Sequence, residues 1–96
     1  MLSVVLHTLD AVDQYHVQFT SGADEAFDQM PVADRREFAE RVVLVLQTNP
    51  HRGDAAYEVF ASPSIPGLYH VTFGSSIASY SIDPAQRTVR VSEFSF

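Results

Sequence analysis

The sequence predicts an α+β fold: an N-terminal strand, a helical hairpin and then an antiparallel β-meander, with the helices packed on one face of a twisted sheet. Three observations support this fold class: a strand-like alternation after residue 14, apolar residues at helical spacing through the middle, and several β-rich runs in the second half. With 96 residues, of which 46% are hydrophobic, we expect a single domain over residues 1–96. Residues 1–14, with Leu2 to Leu6 apolar, form an extra N-terminal arm or strand in this interpretation.

The first strand is predicted in "YHVQFT", because Tyr15, Val17 and Phe19 alternate with polar residues and fall on one side. A first helix follows through Met30. Its N-terminus is expected to be capped by Ser21 and Asp24, whose side chains can accept from free backbone N–H groups.

The second helix is predicted in "DRREFAERVVLVLQTN", and its end at Asn49 and Pro50, because proline cannot continue a helix. Val43 and Leu44 widen its apolar arc, so we expect much of its surface to be covered. Its core residues recur at helical spacing: Phe38, Val42, Val45 and Leu46.

The meander is predicted in "AYEVFASP", "GLYHVTF", "SIASYSID" and "TVRVSEFSF", which are separated by turn-forming residues. In the last run, alternation places Val89, Val91 and Glu93 on one side and Arg90 and Phe94 on the other. The two kinds of pattern together predict one core containing Phe19, Phe27, Phe38, Val42, Leu46, Val71, Phe73, Tyr80 and Val91.

The amino-acid composition argues against several classes of function. Six Lys and Arg, all arginines, stand against twelve Asp and Glu, a net charge of −6, which argues against a non-specific nucleic-acid surface. Without cysteine there are no disulfides and no thiolate chemistry, so a cytoplasmic location is expected. Four scattered histidines suggest no metal site, and we expect neither a cofactor nor a membrane-spanning segment.

Two stretches resemble the RelE/ParE toxin superfamily of type II toxin-antitoxin systems. "AFDQMPVADRREFAERVVLVLQTNPHRG" is similar to the helical hairpin of that superfamily, with its apolar-Pro break and closing Asn-Pro. "PGLYHVTFGSSIASYSID" is similar to its Pro-Gly-Leu-Tyr strand, glycine turn and following strand. The resemblance covers about residues 15–91 and implies a RelE/ParE-like domain.

The chain departs from this family where active members carry cations. In such members the resemblance implies Arg or Lys after the first-strand Tyr and an Arg three residues before the second-strand Tyr. Here His70 and Thr72 occupy the former positions and Ile77 the latter, and the C-terminal strand reads "SEFSF". The hairpin therefore looks like a toxin scaffold without its phosphate-binding cations.

Three residues remain as candidate catalytic groups: His70 for proton transfer, Tyr80 as a hydroxyl donor, and Arg90 as a phosphate clamp if it shares a sheet face with them. The structural interpretation, which we favour, makes His70 a solvated strand residue, packs Tyr80 in or beside the core, and pairs Arg90 with an acidic neighbour. His51 and Arg52 lie in a predicted turn that could meet a ligand anion, but we interpret it as a plain surface loop.

The resemblance implies a toxin-like component of a toxin-antitoxin module that acts mainly through protein binding, with weak or lost RNase activity. The alternatives are an active ribosome-dependent mRNA endonuclease with an atypical site, which would make the ribosome and mRNA its partners, and a ParE-type gyrase inhibitor. The expected partner is an antitoxin protein with a basic segment, because opposite charge speeds association with an acidic chain. Without it we expect a homodimer formed through a sheet edge or the apolar end "FSF".

Overall fold

The computed structural model describes residues 14–96, so the arm or strand expected at Leu2 to Leu6 lies outside the described residues. Over the described residues, two helices and five strands follow one another in the predicted order, and the second helix, α2, contains an internal π turn. The elements are β1 (His16–Phe19), α1 (Ser21–Gln29), α2 (Val32–Glu37, π turn Phe38–Val42, Val43–Thr48), β2 (Val59–Ala61), β3 (Leu68–Phe73), β4 (Ser76–Asp83) and β5 (Thr88–Ser95).

The strands form one sheet in the order β1-β5-β4-β3-β2. β2 to β5 make the predicted antiparallel meander, whereas β1 runs parallel to β5 at the opposite edge. The two helices provide the crossover that a parallel pair requires. The predicted α+β class is confirmed.

The core lies between the helices and one face of the sheet, here called the inner face. All nine predicted core residues belong to it: seven are buried, and Phe19 and Phe27 pack against them while partly exposed. Phe38 is at its centre, because its ring centroid is between 5.1 and 5.9 Å from four other rings, those of Phe19, Phe27, Phe73 and Phe94. Such distances suit edge-to-face and tilted aromatic pairs.

The alternation predicted for the last strand is wrong beyond Val91. Tyr80 pairs with Val91 but its neighbour Ser79 pairs with Glu93, so Ser92 is an extra residue in β5. Such a β-bulge shifts the side-chain alternation by one position. Phe94 therefore points into the core with 5% exposure, and Glu93 lies on the other face.

Two expectations about the helices also differ from the structure. Thr20, rather than Ser21 or Asp24, caps α1, because its hydroxyl accepts from the backbone N–H of Ala23 at 3.2 Å. In α2 the expected covering of the surface is wrong for Leu44, which is 58% exposed. The helix ends as predicted, with Asn49 as its C-cap.

The face of the sheet away from the helices is here called the outer face. It carries the alternate residues of each strand, which the cross-strand register places side by side in rows. One row runs Phe60, His70, Ser79 and Glu93, and the next runs Leu68, Ser81, Arg90 and Gln18. Within residues 14–96, no helix is long and apolar enough to cross a membrane.

Candidate functional site

His70 is a sequence-predicted site residue that lies on the outer face, on β3. Its ring is partly buried, and Nδ1 is 2.8 Å from the Ser79 hydroxyl. The Phe60 ring covers its other side, with the two ring centroids 5.3 Å apart at 36°. The hydrogen bond occupies Nδ1, so any further hydrogen bond of the ring would be made by Nε2.

Arg90 shares the outer face with His70. It is exposed and lines a polar cleft of about 330 Å³ with Gln18, Ser81, Ile82, Asp83, Gln86 and Thr88. The register places Arg90 two strands and two residues from His70, about 12 Å between Cα atoms by ordinary strand spacing. The structure thus brings these two candidates to one surface, with Glu93 directly in the row of His70.

Tyr80 is on the other side of the sheet. It is fully buried in the core, and its hydroxyl donates to the Pro50 carbonyl at 2.6 Å. Its ring stacks on Tyr69 at 6.0 Å, and burial raises the pKa of the hydroxyl far above its usual value. Tyr80 therefore presents no proton to the outer face, as the structural interpretation of this residue expected.

The serines of the β3–β4 hairpin have structural roles that the sequence did not reveal. Asp34 of α2 is 6% exposed, and its Oδ2 accepts from the Ser76 hydroxyl at 2.6 Å, the Ser75 hydroxyl at 2.9 Å and the Ser75 N–H at 3.3 Å. These hydrogen bonds, chiefly those from Ser76 and then Ser75, lower the pKa of the Asp34 carboxyl despite its burial. We call this cluster the Asp34 latch.

Gly74 completes the Asp34 latch. Its φ of 56° lies in the left-handed region, and a Cβ at this position would overlap the Asp34 carboxylate. The isolated turn glycine was the one signal in the sequence, since nothing local indicated a partner some forty residues away. The hairpin thus closes against α2 through hydrogen bonds.

Positive charge is scarce at the outer face. In the five strands of the described part of the chain, Arg90 is the only Lys or Arg, and Thr72 and Ile77 lie exposed at positions where the family resemblance implies cations.

His51, in the turn after α2, packs edge-on against Tyr69 at 5.7 Å. Among residues 14–96 no three His, Cys, Asp or Glu side chains are grouped to hold a metal ion.

Comparison with known proteins gives the fold of a RelE toxin. No protein-family model matches the chain, and no curated protein matches it by sequence. Among solved structures, the archaeal RelE-RelB complex from Pyrococcus horikoshii OT3 matches at a TM-score of 0.69 and 20% identity, covering 83% of this chain and 91% of that one. The intact E. coli RelBE toxin-antitoxin complex matches at 0.66 and 18%, covering 83% and 93%.

A third match extends the comparison to mycobacteria. The toxin-antitoxin complex RelBE2 from Mycobacterium tuberculosis matches at a TM-score of 0.62 and 22% identity, covering 85% of this chain and 90% of that one. The expected RelE/ParE-like fold is therefore confirmed over most of the chain.

Proposed function

We propose that this chain is the toxin-like component of a toxin-antitoxin module, which acts mainly by binding a protein partner and has weak or lost RNase activity. One observation carries the proposal: on a RelE-like fold, Arg90 is the one Lys or Arg in the strands of the described part of the chain. The fold supports a place in a toxin-antitoxin module, and the missing cations support weak or lost RNA cleavage.

We infer weak or lost RNA cleavage from the electrostatics of the outer face. Cleavage of RNA through its 2′-hydroxyl needs a base, a cation that neutralises the phosphate, and an acid for the leaving oxygen. On the outer face His70 can act as a base, but Thr72 and Ile77 carry no positive charge that would neutralise a phosphate. Glu93, two strands from His70 in the same row, repels one. Each missing charge-assisted contact removes about 1.5–3 kcal/mol of binding.

The partner we propose is an antitoxin protein with a basic segment. The structures of similar fold include RelE bound to RelB, and this chain carries a net charge of −6. Complementary charge increases the association rate and discriminates against acidic partners.

The test is calorimetric titration of the purified chain with the product of the reading frame beside its gene. We expect saturable, equimolar binding that weakens as salt rises, since the attraction is partly electrostatic. A basic unrelated peptide of the same net charge is the control for non-specific attraction. Absence of binding to the neighbouring product, or equal binding of the control peptide, would contradict the proposal.

One observation favours a second function, that of an atypical ribosome-dependent endonuclease: His70 and Arg90 share the outer face. In that case any cleavage of mRNA at neutral pH requires both side chains, as base and phosphate clamp. His70→Ala and Arg90→Ala should each abolish it, whereas His51→Ala, a change of an exposed turn residue that packs against Tyr69 rather than on the outer face, should not. Cleavage that survives both site variants would place the activity elsewhere.

A further inference from the structure

The outward side of α2 carries a stripe of four exposed residues spaced one turn apart. Val32 and Leu44, at its ends, are 62% and 58% exposed, more than any other large apolar residue in the described part of the chain. Arg36 and Glu40 stand exposed between them. We call these four residues the α2 stripe. The α2 stripe thus combines two exposed aliphatic side chains with one positive and one negative charge on the same side of the helix.

The π turn in α2 keeps the α2 stripe aligned. In a regular α-helix, residues four apart drift by about 40° around the axis at each step, because a turn takes 3.6 residues. The wider π turn at Phe38–Val42 reduces this drift in the middle of the helix. Residues with a four-residue period therefore remain on one side, both the buried series that includes Phe38 and Val42 and the exposed stripe.

The order of residues in the α2 stripe is self-complementary. Read forwards it is apolar, Arg, Glu, apolar, and read backwards it is apolar, Glu, Arg, apolar. If two copies meet with their α2 helices antiparallel, Val32 of one faces Leu44 of the other, and Arg36 faces Glu40. All four contacts form at once around a two-fold axis, which is the property of an isologous interface.

Two clefts beside the stripe provide grooves for the partner's side chains. One, of about 390 Å³, is lined by Ala33, Arg36, Glu37, Glu40 and Arg41, and the other, of about 430 Å³, adjoins it at Arg41 and includes Leu44 and Tyr57. The two clefts are linked by a hydrogen bond, which the Tyr57 hydroxyl donates to Glu37 at 2.6 Å.

We propose that the α2 stripe is a homodimer interface, at which two copies of this chain pair through antiparallel α2 helices. A uniformly basic or acidic segment would meet a like charge at Arg36 or Glu40, whereas a second copy satisfies both charges and covers both aliphatic ends. The interface lies on the helical side of the molecule, opposite the outer face that carries His70 and Arg90. A single helix pair is small, and we expect micromolar affinity.

The test is sedimentation velocity of the full chain from about one to a few hundred micromolar. We expect a concentration-dependent species of twice the 10.7 kDa monomer mass. Arg36→Glu alone and Glu40→Arg alone should each weaken the homodimer about tenfold or more, because four like charges then meet at the axis. An equimolar mixture of the two single variants should form a heterodimer, and the Arg36→Glu/Glu40→Arg double variant should recover the homodimer.

Exchanging the charges of Arg36 and Glu40 separates a lost interface from a folding defect. Both side chains are exposed, so at a concentration where the native chain is monomeric the melting curves of the variants should match that of the native chain, which controls for folding. A monomer at every concentration would overturn the interface. So would a dimer unaffected by either single change, or one that the mixture and the double variant fail to restore.

Discussion

Truncation of Phe38 to alanine is the sharpest test of how the helices are held to the sheet. Phe38 is 1% exposed and lies at the π turn of α2, where its ring contacts one aromatic ring from each of four other elements. The loss of a buried Phe side chain costs about 3–5 kcal/mol, including the cavity left behind. We expect the upper part of this range, because each lost aromatic pair adds about 0.5–1.5 kcal/mol beyond area burial.

The expected loss is large for a chain of this size. A domain of 96 residues has a free energy of unfolding of about 5–14 kcal/mol. Phe38→Ala should therefore lower the urea midpoint markedly and the melting temperature by roughly 15–30 °C, both followed by circular dichroism.

Phe60→Ala is the matched control, since Phe60 is 47% exposed on the outer face and belongs to no helix contact. It should cost about 1 kcal/mol or less, because the cross-strand contact of the Phe60 ring with His70 is all that it loses. If Phe38→Ala costs under 1 kcal/mol, or no more than Phe60→Ala, the assignment of Phe38 to the centre of the core is wrong.

Three further predictions concern the inner face and the Asp34 latch. Gly74→Ala should destabilise by about 1–3 kcal/mol or more in chemical denaturation, from left-handed backbone strain and overlap with Asp34, whereas Gly22→Ala, which meets open space, should be neutral or slightly stabilising. The pKa of Asp34 in the folded state lies below its ordinary 3.8, so the stability that the ionised carboxylate contributes is fully present above about pH 4 and is lost as the pH falls through the folded pKa. Denaturation midpoints measured against pH should therefore fall less steeply in acid for Asp34→Asn than for the native chain. Tyr80→Phe should cost about 1–3 kcal/mol by leaving the Pro50 carbonyl unpaired, and thermal melting would contradict this if the variant equals the native chain.

The fold could be predicted where local patterns determine it. The alternation from Tyr15 to Phe19 and the helical spacing from Phe38 to Leu46 each reflect one element burying one side, which a sequence shows directly. The bulge at Ser92 could not be predicted, because it depends on how β5 pairs with β4. This bulge places Phe94 on the inner face, where its side chain is buried.

The candidate site was harder to predict for the same reason. The positions of His70 and Arg90 on one face follow from strand register, which no local pattern specifies. The Asp34 latch joins residues 41 and 42 positions apart, and the serines involved had no local feature that distinguished them from solvated turn residues. The absence of cations at Thr72 and Ile77 was visible from the beginning, because it needs only the residue types.

The most direct measurement of the central claim is cleavage of ribosome-bound mRNA by the purified native chain, beside a variant in which Thr72→Lys and Ile77→Arg supply the two cations. Both positions are exposed on the outer face, so the variant should fold as the native chain does. We predict little or no cleavage and no growth arrest for the native chain. The variant should bind mRNA roughly a hundredfold more tightly or better, from two contacts of about 1.5–3 kcal/mol each. Strong cleavage by the native chain would contradict the account.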